Sequence, residues 1–264
     1  LAAEADARGM RLLADQAHGA HWNWWESPAA AGRQGARLWV QSAHKTLAVP
    51  TGGAWLHAAA GEDVERLRAM LRLVQTSSPS YLIMASLDQA RADLDSNGRE
   101  ALQALLDRLP KAFPPGLRNA HEAWGDLPMA MDPTRIVVDV TGRGLSGYAA
   151  ARHLAGLGVD VEMADFRRIV CIATTADDAP ALERLVRSLE ALPFERERPA
   201  PPLPLPALPE AVLPPRQAVL GPRAWLPLAQ AAGRVSAASV GAYPPGVPLL
   251  SPGERISAEA LEWL

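Results

Sequence analysis

Apolar residues are distributed in two textures along the chain. Runs 10–15 (MRLLAD) and 36–42 (ARLWVQS) are short, nearly continuous and closed by polar residues, as expected of strands covered on both faces in a mostly parallel sheet. At 62–75 the spacing becomes helical: Val64, Leu67, Met70, Leu71 and Val74 share a face behind Glu62 and Asp63. A longer helix is predicted over 80–108, weakened near DSNG, with Ser78 or Ser80 as its cap. Beyond MDPTR the order RIVVDV, TGRGLSG, YAAARHLAGLG, VDVEMAD, RRIVCIATT, ALERLVRSLEAL reads as a β-α-β-β-α module. The prolines of PFERERPAPPLPLPALPEAVLPPRQ favour an extended, semi-rigid connector, and a turn-rich unit around YPPGVPLLSPGE closes the chain. The pattern therefore divides into an α/β unit over 1–130, a small α+β domain over 131–193, a Pro-rich linker over 194–209 and a C-terminal unit over 210–264.

Composition narrows the classes of function. With 264 residues, 48% hydrophobic and a formal net charge of -3, the chain can bury a core and carries no basic block for nucleic acid. No run is long and apolar enough for a membrane span, and the N-terminus lacks the order of a signal peptide. The single cysteine, Cys171, excludes an internal disulfide and fits a reducing compartment. The expectation is a cytoplasmic protein whose partner is a small molecule. A probable strand lies close behind Leu1 with nothing before it to pair with, so its domain is expected to begin upstream.

The chemistry concentrates at the ends of the first two predicted strands. If these are parallel, Asp15 and Lys45 lie at one sheet edge, where ligands collect in open α/β folds. A desolvated lysine amine can form an imine with an aldehyde cofactor, and a carboxylate opposite it suits the protonated ring nitrogen of pyridoxal phosphate. Ser42 and His44 flank the lysine with donors suited to phosphate. The ordinary alternatives are a solvated strand-end lysine and an aspartate in a turn, and spacing alone leaves both open. Asp15, His18 and His21 also resemble a zinc-binding loop, but no second Cys/His cluster or HExxH helix supports a metal. Cys171, within an apolar run, reads as packing.

Six motifs in order, LLADQAHGAHW, VQSAHKTL, TSSPSYLIMASLDQAR, DPTRIVVDVTG, GVDVEMADFRRIV and YPPGVPLLSPGERI, resemble the pyridoxal-phosphate-dependent ornithine/lysine/arginine decarboxylases of fold type I, the aspartate aminotransferase-like group. The resemblance runs from about residue 8 to the C-terminus. It implies the C-terminal part of a PLP-binding large domain, then a small α+β domain and a C-terminal decarboxylase-type domain, whole or truncated. It makes Lys45 the Schiff-base lysine, Ser42 and His44 phosphate contacts, Asp15 the pyridinium partner and His18 a neighbour of the cofactor ring. Gln16 stands where the signature more usually has glutamate, keeping an acceptor and losing a charge. Thr76 and Ser77 would be lent to a neighbouring subunit's cofactor phosphate, which implies a homodimer or higher homo-oligomer. The substrate's distal cation needs a carboxylate, for which Glu162 is the candidate and Asp165 the reserve.

The function implied is decarboxylation of lysine, ornithine or arginine to an amine and carbon dioxide, a step of polyamine biosynthesis. The competing readings are another fold type I enzyme, aminotransferase or lyase, and a catalytically inactive fragment. The family's phosphate-cradling turn and ring-stacking residue precede the aspartate and are absent from this sequence. The chain by itself is therefore expected to have difficulty folding and holding the cofactor.

Overall fold

The computed structural model describes residues 1–26, 29–119, 130–195, 206–241 and 246–264. After a short helix α1 (Ala2–Ala7), strands β1 (Leu13–Asp15), β2 (Leu38–Gln41) and β3 (Trp55–Ala58) form a sheet in that order. β1 and β2 are parallel, with Asp15 opposite Val40; β2 and β3 are antiparallel, with Val40 opposite Leu56. Alternation puts Trp39, Gln41, Trp55 and His57 on one face and Leu13, Asp15, Leu38, Val40 and Leu56 on the other. Leu13, Val40 and Leu56 are exposed there.

The parallel pair matches the expectation, while the predicted run 10–15 contracts to three residues. β3 is an addition: its WLHA sequence has a polar residue inside a four-residue strand, too short for periodicity to register. The connection from β2 to β3 has only a short 3-10 turn, Ala43–Lys45, and no crossover helix, so β3 runs antiparallel.

Helix α2 (Val64–Val74) is capped by Asp63, whose carboxylate accepts from Arg66 N at 2.9 Å. Helix α3 (Tyr81–Arg108) is capped by the Ser80 hydroxyl and runs unbroken through DSNG. Its buried stripe of Ala90, Leu94, Gly98, Leu102 and Leu105 explains why: Gly98 lies against Trp24, so burial along the face outweighs the helix-weakening glycine. α3 joins two cores. Ala90 packs in the cluster of Ala20, Ala43 and Val49, while Leu105 and Leu109 belong to the larger core beyond.

That larger core is built on a second sheet. Strands β4 (Arg118–Asn119), β5 (Arg135–Asp139), β6 (Met163–Ala164) and β7 (Arg168–Ile172) are arranged β4-β5-β7-β6, every neighbouring pair antiparallel. Ile136, Val138, Ile169 and Cys171 alternate inward against helices α4 (Gly147–Gly156) and α5 (Ala179–Glu190), which contribute Leu154, Leu182, Leu185 and Leu189. The predicted strand VDVEMAD shrinks to two residues because the Asp165 side chain turns the chain instead, accepting from Arg167 N and Arg168 N.

At the C-terminal end, α6 (Pro215–Leu220) and α7 (Ala258–Trp263) flank isolated antiparallel bridges, Ala211 with Glu254, Val235 with Arg255 and Val240 with Leu250. Arg255 is also paired with Glu210 at 2.7 Å. Residues 196–205 of the Pro-rich connector and 242–245, which begin the YPPG turn, lie outside the described residues.

Candidate functional site

The loops leaving β1 and β2 meet at the carboxyl edge of the parallel pair. Gln16 N donates to Val40 O, and Ser42 N donates to Ala17 O, so the ladder extends into both loops. Asp15 ends β1 and is exposed; its Oδ1 accepts from Ala17 N at 3.0 Å, and the turn does not use Oδ2. After β2, the 3-10 turn presents Lys45, and its Nζ comes within 3.4 Å of His18 Nε2. A lysine ammonium can only donate, so His18 Nε2 accepts. Burial, followed by the positive charges of Arg135 and Lys45, holds the His18 pKa below its ordinary value of 6.5 and favours that neutral acceptor.

His44 points its Nδ1 at Gly53 O, 2.9 Å away. A carbonyl only accepts, so Nδ1 carries the proton, and Nε2 would donate to an anion only as imidazolium. Ser42 lies half-buried on the same turn. Thr76 and Ser77 lie on the exposed segment between α2 and α3, where Thr76 Oγ1 accepts from Ser78 N. No hydrogen bond or ion pair among the described residues ties them to Lys45 of the same chain.

Glu162 is exposed just before β6, and its negative charge acts on both His18 and Arg135, which places it beside them. Asp165, the reserve, is used by the β6–β7 turn. The three residues considered for a metal point to different partners. Asp15 takes Ala17 N, His18 meets Lys45, and His21 Nε2 lies 3.2 Å from Asp132 Oδ2. Among the described residues no group of three His, Cys, Asp or Glu could hold a metal ion.

Two sets of residues around the site escaped the sequence reading. Gln41 is wholly buried under the loop: its Nε2 donates to Gln16 Oε1 and Gly19 O, and its Oε1 accepts from Asn23 and His57. His57 stacks on Trp39 with ring centroids 4.9 Å apart. Gln16 Oε1 also accepts from Ala31 N, so the residue replacing the usual glutamate acts as an acceptor here. The second set is Asp132 and Arg135 at the head of β5. Arg135 donates to His18 O at 2.8 Å, and Asp132 takes the Trp22 indole N–H at 3.0 Å. Gln41 could have been suspected as a polar residue at an inward strand position. Nothing local in the sequence links residue 132 to residue 21.

Comparison with known proteins bears on the family and the fold. The model of the Orn/Lys/Arg decarboxylase major domain matches residues 1–113, and that of the C-terminal domain matches residues 206–264. The arginine decarboxylase of Bacillus subtilis is 30% identical over 268 residues, covering 96% of this chain and 55% of the relative. Among solved structures, lysine decarboxylase A from Pseudomonas aeruginosa superposes with a TM-score of 0.69 at 20% identity, over 95% of this chain and 48% of that one. The constitutive lysine decarboxylase of Escherichia coli gives 0.59 at 23%, over 86% and 44%. The chain spans about half the length of the curated relatives it matches. The fold is that of the fold type I pyridoxal-phosphate enzymes, and with both domain models matched in order, the chain belongs to the Orn/Lys/Arg decarboxylase family.

Proposed function

We propose that this chain carries the lysine-bearing part of a pyridoxal-phosphate-dependent site that decarboxylates a basic amino acid. The observation that carries the reading is the approach of Lys45 Nζ to His18 Nε2 at the carboxyl edge of the β1–β2 pair, the edge at which Asp15 ends β1. The residues fit the cofactor chemically: an exposed amine for its aldehyde, a carboxylate with a free oxygen for its ring nitrogen, and Ser42 and His44 next to the amine for its phosphate. Bound there, pyridoxal phosphate would supply an electron sink for the pair left behind when the carboxylate departs as carbon dioxide.

The protein's own residues do the rest. His18 Nε2 accepts a hydrogen bond from the Lys45 ammonium and so orients the amine. Asp15 would hold the protonated ring nitrogen, and the hydrogen bond from Ala17 N restrains its carboxylate. His44 contributes Nε2–H to a phosphate when doubly protonated. Glu162 offers a carboxylate for the substrate's distal ammonium or guanidinium. Thr76 and Ser77, which stand apart from their own chain's Lys45, are available to the cofactor phosphate of a second copy.

The test is to add pyridoxal phosphate to the full-length protein, record the visible absorbance of the lysine-bound cofactor and follow carbon dioxide release from lysine, ornithine and arginine. Lys45→Ala should abolish the band and the release. A band that survives in K45A removes Lys45 from the role, and keto-acid release in place of carbon dioxide assigns a different reaction to the site.

A further inference from the structure

Strand β5 is bracketed by two copies of one local device. At its head Asp132 Oδ1 accepts from Thr134 N at 2.9 Å and from Thr134 Oγ1; at its tail Asp139 Oδ1 accepts from Thr141 N at 2.9 Å and from Thr141 Oγ1. Both are Asp-x-Thr turns, and each leaves the second carboxylate oxygen free. The tail copy gives Oδ2 to Arg167, more than half exposed. In the head copy Oδ2 accepts from the Trp22 indole at 3.0 Å and lies 3.2 Å from His21 Nε2, a charge contact without hydrogen-bond alignment, with both the His21 and Asp132 side chains nearly inaccessible, 5% and 7% exposed. Three residues further on, Arg135 donates to the main-chain oxygen of His18. The segment 132–135 thus grips residues 18–22 at three points across more than a hundred residues of sequence.

We propose that Asp132 is a positioning residue: through His21 and Trp22 it seats the loop that holds the His18 imidazole against Lys45. This deepens the site reading above and rests on it for its functional meaning. The grip itself concerns only this chain. A turn cap alone needs one oxygen, as Asp139 shows; the second, buried oxygen of Asp132 is committed to the loop. The charged and titratable groups around His18 are Lys45 on the β2 turn, Arg135 and Asp132 at the head of β5, and Glu162 before β6.

The experiment follows the His18 imidazole by NMR titration of histidine-labelled protein without cofactor. Its sign discriminates. Asp132 is negative, so Asp132→Asn acting through charge alone would lower the His18 midpoint. If the loop is released, His18 gains water and leaves Lys45 and Arg135, and the midpoint rises toward 6.5. We expect the rise in D132N, and again in H21A, which opens the grip from the loop side while keeping the Asp132 charge and serves if D132N folds poorly. D139N, which disrupts the same kind of turn without touching the loop, should leave His18 unmoved. A midpoint unchanged or lowered in both D132N and H21A overturns the proposal, as does an equal rise in D139N. Adding pyridoxal phosphate to the full-length wild type separates the two readings: no absorbance band there would count against the site assignment and leave the titration result standing.

Discussion

Asp132 makes the strongest residue-scale prediction for stability. Burial alone would raise its pKa, but the His21 imidazole, the Thr134 donors and the Arg135 guanidinium outweigh it and hold the carboxyl well below its ordinary 3.8. A depressed carboxyl pKa contributes stability that is fully present above the unfolded-state value and is lost as pH falls below it. Wild-type stability, measured by urea midpoints, should therefore drop as the pH is taken below about 4, and D132N should show a shallower drop from a baseline lower by about 3 kcal/mol. Cys171 makes an independent prediction. Burial pushes its thiol up to about 12, so it should ignore a thiol reagent at pH 8 and react fully once the protein is unfolded. The arrival of Asp15 and Lys45 at one sheet edge was legible in the sequence because strand ends of a parallel pair converge whatever the loops do; the Lys45 contact with His18, a loop residue, was not. The Asp132 and His21 pair was not legible: a contact between residues more than a hundred apart in the sequence leaves no periodic trace.

At the scale of elements, legibility followed length and amphipathicity. α2, α3, α4 and α5 lie where apolar spacing predicted them; α3, α4 and α5 each bury one stripe that sets the period, while α2 keeps the same spacing with Val64, Met70 and Val74 exposed. The two-residue β6 and the four-residue β3 depend on partners, a turn aspartate for one and the Gln41–His57 pair for the other, and the sequence does not show partners. Two glycines of α4 give opposite expectations from one helix. A β-carbon on Gly147 would lie 2.1 Å from Arg168 O and 2.3 Å from Asp165 O, backbone atoms that cannot yield. Gly147→Ala should therefore push α4 off the β6–β7 turn and cost about 2 kcal/mol or more. Gly156 meets nothing within 4 Å, and Gly156→Ala should raise stability by about 0.5 kcal/mol. Thermal melts of the two variants check the pair, and a destabilised G156A would show that the helix end is more crowded than its geometry indicates.

At the scale of the molecule, the proposed site draws on distant parts of the chain, and one part has no hydrogen bond to the rest among the described residues. Lys45, His18 and Asp15 gather on one sheet edge, while Thr76 and Ser77 lie on an exposed segment flanked by exposed apolar side chains, Leu73 and Val74 before it and Tyr81 and Leu82 after it. An apolar surface around a polar loop is the form expected where another copy of the chain packs. If the loop serves a neighbour's cofactor, the two halves of each site come from different chains, and this has a consequence that single variants cannot mimic. A K45A chain and a T76A/S77A chain should each bind cofactor poorly. Mixed under conditions that allow exchange, they form heterodimers in which one site carries both defects and the other carries neither. Bound cofactor and carbon dioxide release should then reappear in the mixture, in at most one site of each heterodimer. If the hydroxyls serve their own chain's Lys45 instead, every site in the mixture keeps one defect, and no recovery will be seen at any mixing ratio.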